Sequence, residues 1–472
     1  MDANRTIVII GAGPVGLAAA AHAVRRGLTP LVLEQGATVG AAIRDWGHVR
    51  LFSPWSFNID DAARALLQET DWQPPDPAAL PTGAEIVRDY LEPLASHPRL
   101  APHIVTGATV MGVSRQHRDK VVSIQRETIP FIVRWRTADG DVRETLAGAI
   151  IDASGTWRTP NPMGTDGLSV AGEAEAAQRI AYGIPDVVTG SRHDYANQRV
   201  LVIGGGHSAV NAVLDLIRLR RTAPATHVLW AMRGNRLDRL VGGGSDDALP
   251  ARGHLGLAAQ QAVERQEVEI LAPFSARRIE NTGDSLRVHG VIGQQTVTLN
   301  VDRIVVATGF RPDPALLREL RITLDSALEA PPALAPLIDP NIHSCGTVPP
   351  HGVVELTHPE PGVYIVGAKS YGRAPTFLMR TGYEQVRSVV AEIAGDHEAA
   401  RRVELELPET GVCSTDSEPQ AAAEGCCGGP APDNADACCV RDAQAKAAGQ
   451  SGCGCGTSAP EAPPRKTACC GG

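Results

Sequence analysis

Short apolar runs without polar alternation recur along this chain, and most of them are closed by glycine. Thr6–Ile10 runs straight into Gly11-Ala12-Gly13-Pro14-Val15-Gly16, and Pro30-Leu31-Val32-Leu33-Glu34 follows an alanine-rich stretch. Arg199–Ile203 repeats the device ahead of Gly204-Gly205-Gly206-His207-Ser208-Ala209, with His227–Arg233 as its second run. Continuous apolarity over so few residues is the pattern of a strand covered on both faces. Ala12–Arg26 reads as a helix of small residues that packs closely on its sheet, and Ala84–Ala95 reads as an amphipathic helix. Further strands end at Gly155, after Ala149–Asp152, and at Thr308-Gly309, after Arg303–Val306. Gly362–Gly367 is another strand, followed by a helix starting near Pro375 and running through Ile393. Strands alternating with helices predict an α/β fold on parallel sheets.

The two glycine turns carry the chemistry. A buried strand, a tight turn and a small-residue helix start bring backbone N–H groups and the positive helix end against a pyrophosphate. Finding the pattern twice predicts two dinucleotides in one enzyme, and electron transfer between them. Glu34 lies 23 residues after Gly11, where a carboxylate accepts from both hydroxyls of an adenosine ribose and repels a 2′-phosphate. The equivalent second strand ends in Arg233, with Arg236 close behind and no acid in that place. Guanidinium groups there suit a 2′-phosphate. The first site therefore suits FAD or NAD, and its N-terminal position in an inserted architecture favours FAD; the second prefers NADPH, with a solvated arginine face and NADH bound nearby as the alternative. In the second, Ala209 stands in place of the third glycine.

The strand-to-glycine turns at Gly155 and Gly309 predict one Rossmann-like domain inserted into another. The expected layout is an FAD-binding part at 1–165, an NADPH-binding domain at 196–310, a return segment of the FAD domain at 311–411, and a tail at 412–472. In the tail, Ala, Gly, Pro and Cys dominate without hydrophobic period, which predicts disorder. Charge narrows the partners. A formal net charge of -9 disfavours nucleic acid. No stretch approaches the ~18 apolar residues of a membrane span, and no export segment is recognisable, so a cytoplasmic location is expected.

Cysteines are distributed unevenly. Residues 1–412 contain only Cys345, so the body holds no dithiol to set against a flavin. Cys413, Cys426, Cys427, Cys438, Cys439, Cys453, Cys455, Cys469 and Cys470 all lie in the tail. Adjacent thiolates on a pliable chain converge readily on a soft metal or on trivalent arsenic; a tail whose thiols bind nothing specific is the alternative. His343, Cys345, His351 and His358 form a weaker metal-site candidate, in a loop interrupted by Pro and Gly.

With these turns and strands in place, the chain resembles the two-dinucleotide-binding flavoproteins, and within them the flavin-binding monooxygenases, over residues 5 to 397. It also resembles the flavoprotein monooxygenases encoded in arsenic-resistance operons, through Arg50-Leu-Phe-Ser-Pro-Trp55-Ser-Phe-Asn58, Asp339-Pro-Asn-Ile-His343-Ser-Cys345 and Lys369-Ser-Tyr371-Gly-Arg373-Ala-Pro-Thr376. The resemblance implies NADPH-driven reduction of FAD and oxygenation of a small soft-heteroatom or metalloid substrate. Two departures stand against it. The Phe-Gly-His linker of such monooxygenases has only Gly190-Ser-Arg-His193 as a counterpart, and Ala368 replaces the Asp that many relatives set against the ribityl chain.

Thr376, opening the last helix, would stabilise negative charge on a reduced flavin. Lys369 and Arg373 would add positive charge, and His48, Arg50, Trp55 and Asn58 would wall the ring. Arg50, Asn58, Lys369 and Arg373 are the candidate catalytic residues. A reductase with another acceptor, and a soft-metal chaperone, remain as alternative functions.

Overall fold

The computed structural model describes residues 5–234, 249–342, 348–375 and 377–405. In chain order the strands are β1 (Thr6–Ile10), β2 (Thr29–Leu33), β3 (Ile104–Val105), β4 (Thr109–Arg115), β5 (Phe131–Arg136), β6 (Val142–Ala147), β7 (Ala149–Asp152) and β8 (Ile180–Tyr182). There follow β9 (Arg199–Ile203), β10 (His227–Ala231), β11 (Glu269–Leu271), β12 (Phe274–Asn281), β13 (Leu286–Ile292), β14 (Gln295–Val301), β15 (Arg303–Val306) and β16 (Val363–Ile365). They form two five-stranded parallel sheets, β16-β7-β1-β2-β3 and β11-β10-β9-β15-β8, and two antiparallel meanders, β4-β5-β6 and β12-β13-β14.

The apolar runs explain how each sheet is covered. Successive side chains point to opposite faces. Ile7 and Ile9 enter a core with Leu17 and Ala20 of the Pro14–Arg25 helix and Val386 of the Met379–Ile393 helix. Val8 and Ile10 enter a different core, with Val113, Phe131 and Val133 of the meander β4-β5-β6. The second sheet repeats the division. Val200 and Val202 pack with Val210 and Val213 of the His207–Arg220 helix, whereas Leu201 and Ile203 pack with Phe274, Ile279 and Leu286 of β12 and β13. Helix on one face and meander on the other is thus the plan of both halves. The inserted half begins before residue 196, because β8 joins its sheet beside β15.

The helix expected over Ala84–Ala95 is broken into α-helix at Gly83–Ile86, a π-turn at Val87–Leu91 and α-helix at Glu92–Ala95. Pro93 lacks the N–H that would reach the carbonyl of Asp89. That carbonyl accepts instead from the Trp72 indole at 2.8 Å, and Glu92 N–H reaches back to Val87 O. The last helix begins at Met379, a few residues later than the expected start.

A buried ion cluster ties the return segment to the first meander. Glu360 Oε1 accepts from Arg115 Nε at 2.8 Å, and Oε2 accepts from Arg126 Nε at 2.9 Å and from the Arg321 backbone N–H at 3.1 Å. The three side chains are no more than 3% exposed. Burial works to raise the Glu360 carboxyl, but the Arg115 and Arg126 hydrogen bonds outweigh it and hold the group below the usual glutamate range. A carboxylate depressed in the folded state stabilises fully above its unfolded pKa, and the stabilisation disappears as pH falls through the folded value. Glu360→Gln, which leaves two buried guanidinium groups facing a neutral amide, should cost about 3–5 kcal/mol at neutral pH in urea unfolding. The gap between variant and parent should narrow below pH ~4.

Candidate functional site

At the first turn Gly11 has φ +100°, and a Cβ there would sit 2.8 Å from Ala153 O. A Cβ on Gly16 would overlap Gly11 O, so the third glycine is what lets the helix lie on its strand. Gly13, by contrast, would meet nothing within 4 Å. Two glycines are therefore required by packing and the middle one keeps a cradle open. The Pro14–Arg25 helix begins there without a side-chain cap, which leaves its first N–H groups to an outside acceptor. These residues fit a dinucleotide pyrophosphate.

Glu34 follows β2 directly and is 8% exposed. Its Oε2 accepts from Ala12 N at 2.8 Å and its Oε1 from Gly36 N at 2.7 Å. Each carboxylate oxygen has a second lone pair, so the group is held in one orientation with acceptor capacity left for two ribose hydroxyls. Gly155, with φ +69°, leaves open space past β7. Gly367, with φ +68°, lies 3.3 Å by its would-be Cβ from Val15 and donates its N–H to Gln385 Oε1 at 2.7 Å.

The candidate catalytic side chains all engage the protein itself. Lys369 is 3% exposed, and its Nζ donates to Asp152 Oδ2 at 2.7 Å and Ser154 Oγ at 3.0 Å. It braces the end of β7 against the Gly367–Tyr371 turn, where positive charge toward a reduced flavin was expected. Arg373 pairs with Glu329 at 3.0 Å on the surface. The Arg50 guanidinium donates to Leu80 O. Asn58, 1% exposed, donates from Nδ2 to Ser53 O at 2.8 Å and Pro54 O at 2.9 Å, and so shapes its own turn. Trp55 is buried, while His48 Nε2 is buried without a hydrogen-bond partner among the described residues, as a group aimed at a ligand would be.

Thr376, Arg236, His343, Cys345, Cys413 and the tail cysteines Cys426, Cys427, Cys438, Cys439, Cys453, Cys455, Cys469 and Cys470 lie outside the described residues. His351 and His358 each engage a backbone carbonyl through Nδ1. His351 is buried between Pro349 O at 3.0 Å and the Gln385 amide at 3.0 Å, and His358 bonds Thr323 O at 3.1 Å. Burial pushes the His351 imidazole down. Its neutral Nε2 therefore accepts from the Gln385 amide, and Gln385 holds the Gly367 turn. Among the described residues there is no group of three or more His, Cys, Asp or Glu placed to hold a metal ion. Asp152 and Gln385 are site-shaping residues that no local pattern announces.

The second turn follows the same plan. Gly204 has φ +144°, and a Cβ on it would overlap Ala307 O. Gly206 would meet nothing within 4 Å, and the His207–Arg220 helix starts there without a side-chain cap. Ser208 is half-buried and Ala209 is fully buried in the first turn of that helix. Arg233 is exposed just past β10.

Two stretches of chain connect the halves, and they pair with each other. Asn161 N donates to Gly309 O at 2.9 Å and Arg311 N to Thr159 O at 3.0 Å, while Thr308 Oγ1 donates to Asn161 O at 3.0 Å. The Thr159 hydroxyl also donates to Arg311 O. One strand of this ribbon leaves the carboxyl end of β7 and the other the carboxyl end of β15. In open parallel sheets ligands bind outside those ends. Trp157 packs against Phe310 of the ribbon with ring centres 4.7 Å apart and planes tilted by 33°, and its indole donates to Asp45 Oδ2 at 2.9 Å. Phe52, from the segment after β2, meets the ring of His207 at 5.6 Å, so the second glycine turn lies against the first half.

Comparison with known proteins agrees with this geometry. The family model for pyridine nucleotide-disulphide oxidoreductases matches residues 8–336. A ferredoxin–NADP reductase of Lactococcus lactis subsp. lactis is 23% identical, covering 66% of this chain and 76% of the relative. The fold is shared with a bacillithiol disulfide reductase from Bacillus cereus, at TM-score 0.61 and 19% identity over 83% of this chain and 99% of that one. It is shared also with the FAD-bound cadaverine monooxygenase of Erwinia amylovora, at TM-score 0.58 and 13% identity over 87% and 99%. The matched span includes both glycine turns and both strands of the ribbon, and the chain belongs to the pyridine nucleotide-disulphide oxidoreductase family, an oxidoreductase with FAD and NAD(P)H as its cofactors.

Proposed function

We propose that the β1–β2 turn holds FAD, that the β9–β10 turn holds NADPH, and that the enzyme oxygenates a small soft-heteroatom or metalloid substrate. The observation that carries the reading is the paired ribbon, which brings the ligand-binding ends of both sheets onto one connection. Gly11, Gly13 and Gly16 admit the first pyrophosphate, and Glu34 takes the ribose hydroxyls; Gly155 and Gly367 keep backbone close to the same nucleotide. Gly204, Gly206, Ser208 and Ala209 do the corresponding work for the second, beside Thr308 and Gly309. Arg233, with Arg236 after it, supplies charge for a 2′-phosphate. Bound in these two turns, the cofactors would supply hydride transfer from NADPH to FAD and electrons for the acceptor.

Cys345 is the only cysteine before residue 413, which removes a body dithiol as that acceptor. Oxygenation balances as substrate, O2, NADPH and a proton giving oxygenated substrate, water and NADP+. The similarity to ferredoxin–NADP reductases favours a second reading, in which an external acceptor replaces oxygen. With NADPH, arsenite or a methylated trivalent arsenical, and 18O2, the holoenzyme should place one labelled oxygen in product for each NADPH consumed. Unlabelled product, or NADPH oxidation as fast under argon once a ferredoxin is supplied, assigns the enzyme to the reductase reading.

The arsenical is proposed because soft thiolates favour soft ions and the tail carries vicinal pairs such as Cys426-Cys427 and Cys469-Cys470. Tethered thiols would raise the local substrate concentration at the flavin. Deleting residues 412–472 should leave the rate of flavin reduction by NADPH intact and raise KM for the arsenical roughly tenfold or more. An unchanged KM removes the tail from delivery.

A further inference from the structure

The two glycine turns solve one steric problem in different ways. In the first, the Gly11 carbonyl points at the Cα of Gly16, and a Cβ on Gly16 would overlap that oxygen. In the second, the residue at the same spacing is Ala209, which has a Cβ and is fully buried. The Gly204 carbonyl cannot point the same way. It is turned instead toward β10, where it accepts from the Trp230 indole N–H at 2.8 Å. The backbone differs accordingly, with φ +100° at Gly11 and +144° at Gly204.

Trp230 is placed for this and nothing else polar. It pairs with Val202 in the β9–β10 register, as Val32 pairs with Ile9 in β1–β2, so valine occupies the equivalent place in the first half. The ring is fully buried in the apolar core that also holds Ala209 and Val210. A buried indole N–H requires an acceptor, and a buried carbonyl requires a donor. Each satisfies the other.

We infer that Trp230 is a positioning residue for the second dinucleotide: its indole takes over the task of the missing third glycine by fixing the Gly204 carbonyl away from the Ala209 methyl. Fixing that carbonyl sets the Gly204–Gly205 peptide plane and so the direction of the Gly205 N–H, next to Gly206, whose open side faces the expected pyrophosphate. The inference rests on the proposed placement of NADPH at this turn.

Calorimetric titration of the FAD-loaded protein with NADP+ tests it. Trp230→Phe, which keeps a ring and removes the N–H, should weaken NADP+ about tenfold, with KM for NADPH rising in step. Adding Ala209→Gly to that variant should restore most of the affinity, because the carbonyl regains the orientation seen at Gly11. Should Trp230→Phe fail to fold, replacement of Trp230 by benzothienylalanine keeps the bicyclic shape without the N–H. Affinity unchanged in Trp230→Phe or in the benzothienyl protein overturns the inference, as does a loss confined to melting temperature or kcat, or a double variant no better than the single. Gly206→Val, which fills the open cradle, separates the two levels. If it too leaves NADP+ affinity intact, the nucleotide is not at this turn and the placement itself fails.

Discussion

The two halves of this molecule are joined by a short antiparallel ribbon, Thr159–Asn161 against Gly309–Arg311. Two parallel sheets in one chain have no inherent reason to address each other, because a connection from either sheet edge or end would satisfy the covalent chain. Here both connections leave carboxyl ends, β7 for one and β15 for the other, and are hydrogen-bonded together. The ends at which open α/β sheets hold ligands therefore share one neighbourhood. The tilted contact of Trp157 with Phe310, and the Trp157–Asp45 hydrogen bond, fasten that neighbourhood to the first half.

Within each half the strand–glycine–helix unit was legible beforehand from the pattern of side chains, whereas the antiparallel meander on the other face of each sheet was not. Alternate residues of β1 and β9 divide between a helical core and a meander core, and glycine falls where strand, turn and helix come too close for a Cβ. Glu34 could be placed at the end of β2 by counting from Gly11, since spacing along a βα unit is a local property.

Other properties were not legible. Lys369 reads as a loop cation, and only the fold brings it to Asp152, 217 residues away, where the two charges neutralise each other out of solvent. Asn58 reads as a pocket residue but is consumed by the Ser53 turn. The single helix expected over Ala84–Ala95 fails at Pro93 because Trp72, from a separate segment, takes up the carbonyl that proline abandons. β8 is too short for its apolar run to stand out, so the insertion was placed to begin too late. Only the Lys369–Asp152 pair spans a long sequence separation; Asn58 and Pro93 depend on hydrogen bonds closer along the chain, and β8 on the brevity of its run.

The ribbon also bears on how such a chain can arise. An inserted domain is easily acquired or exchanged only when its first and last residues are adjacent, since the host otherwise has to be rethreaded. Asn161 and Gly309 are joined by a hydrogen bond, so the whole second half is grafted onto the first through a single point of entry. Everything between those two residues can be replaced without removing a strand of the first sheet.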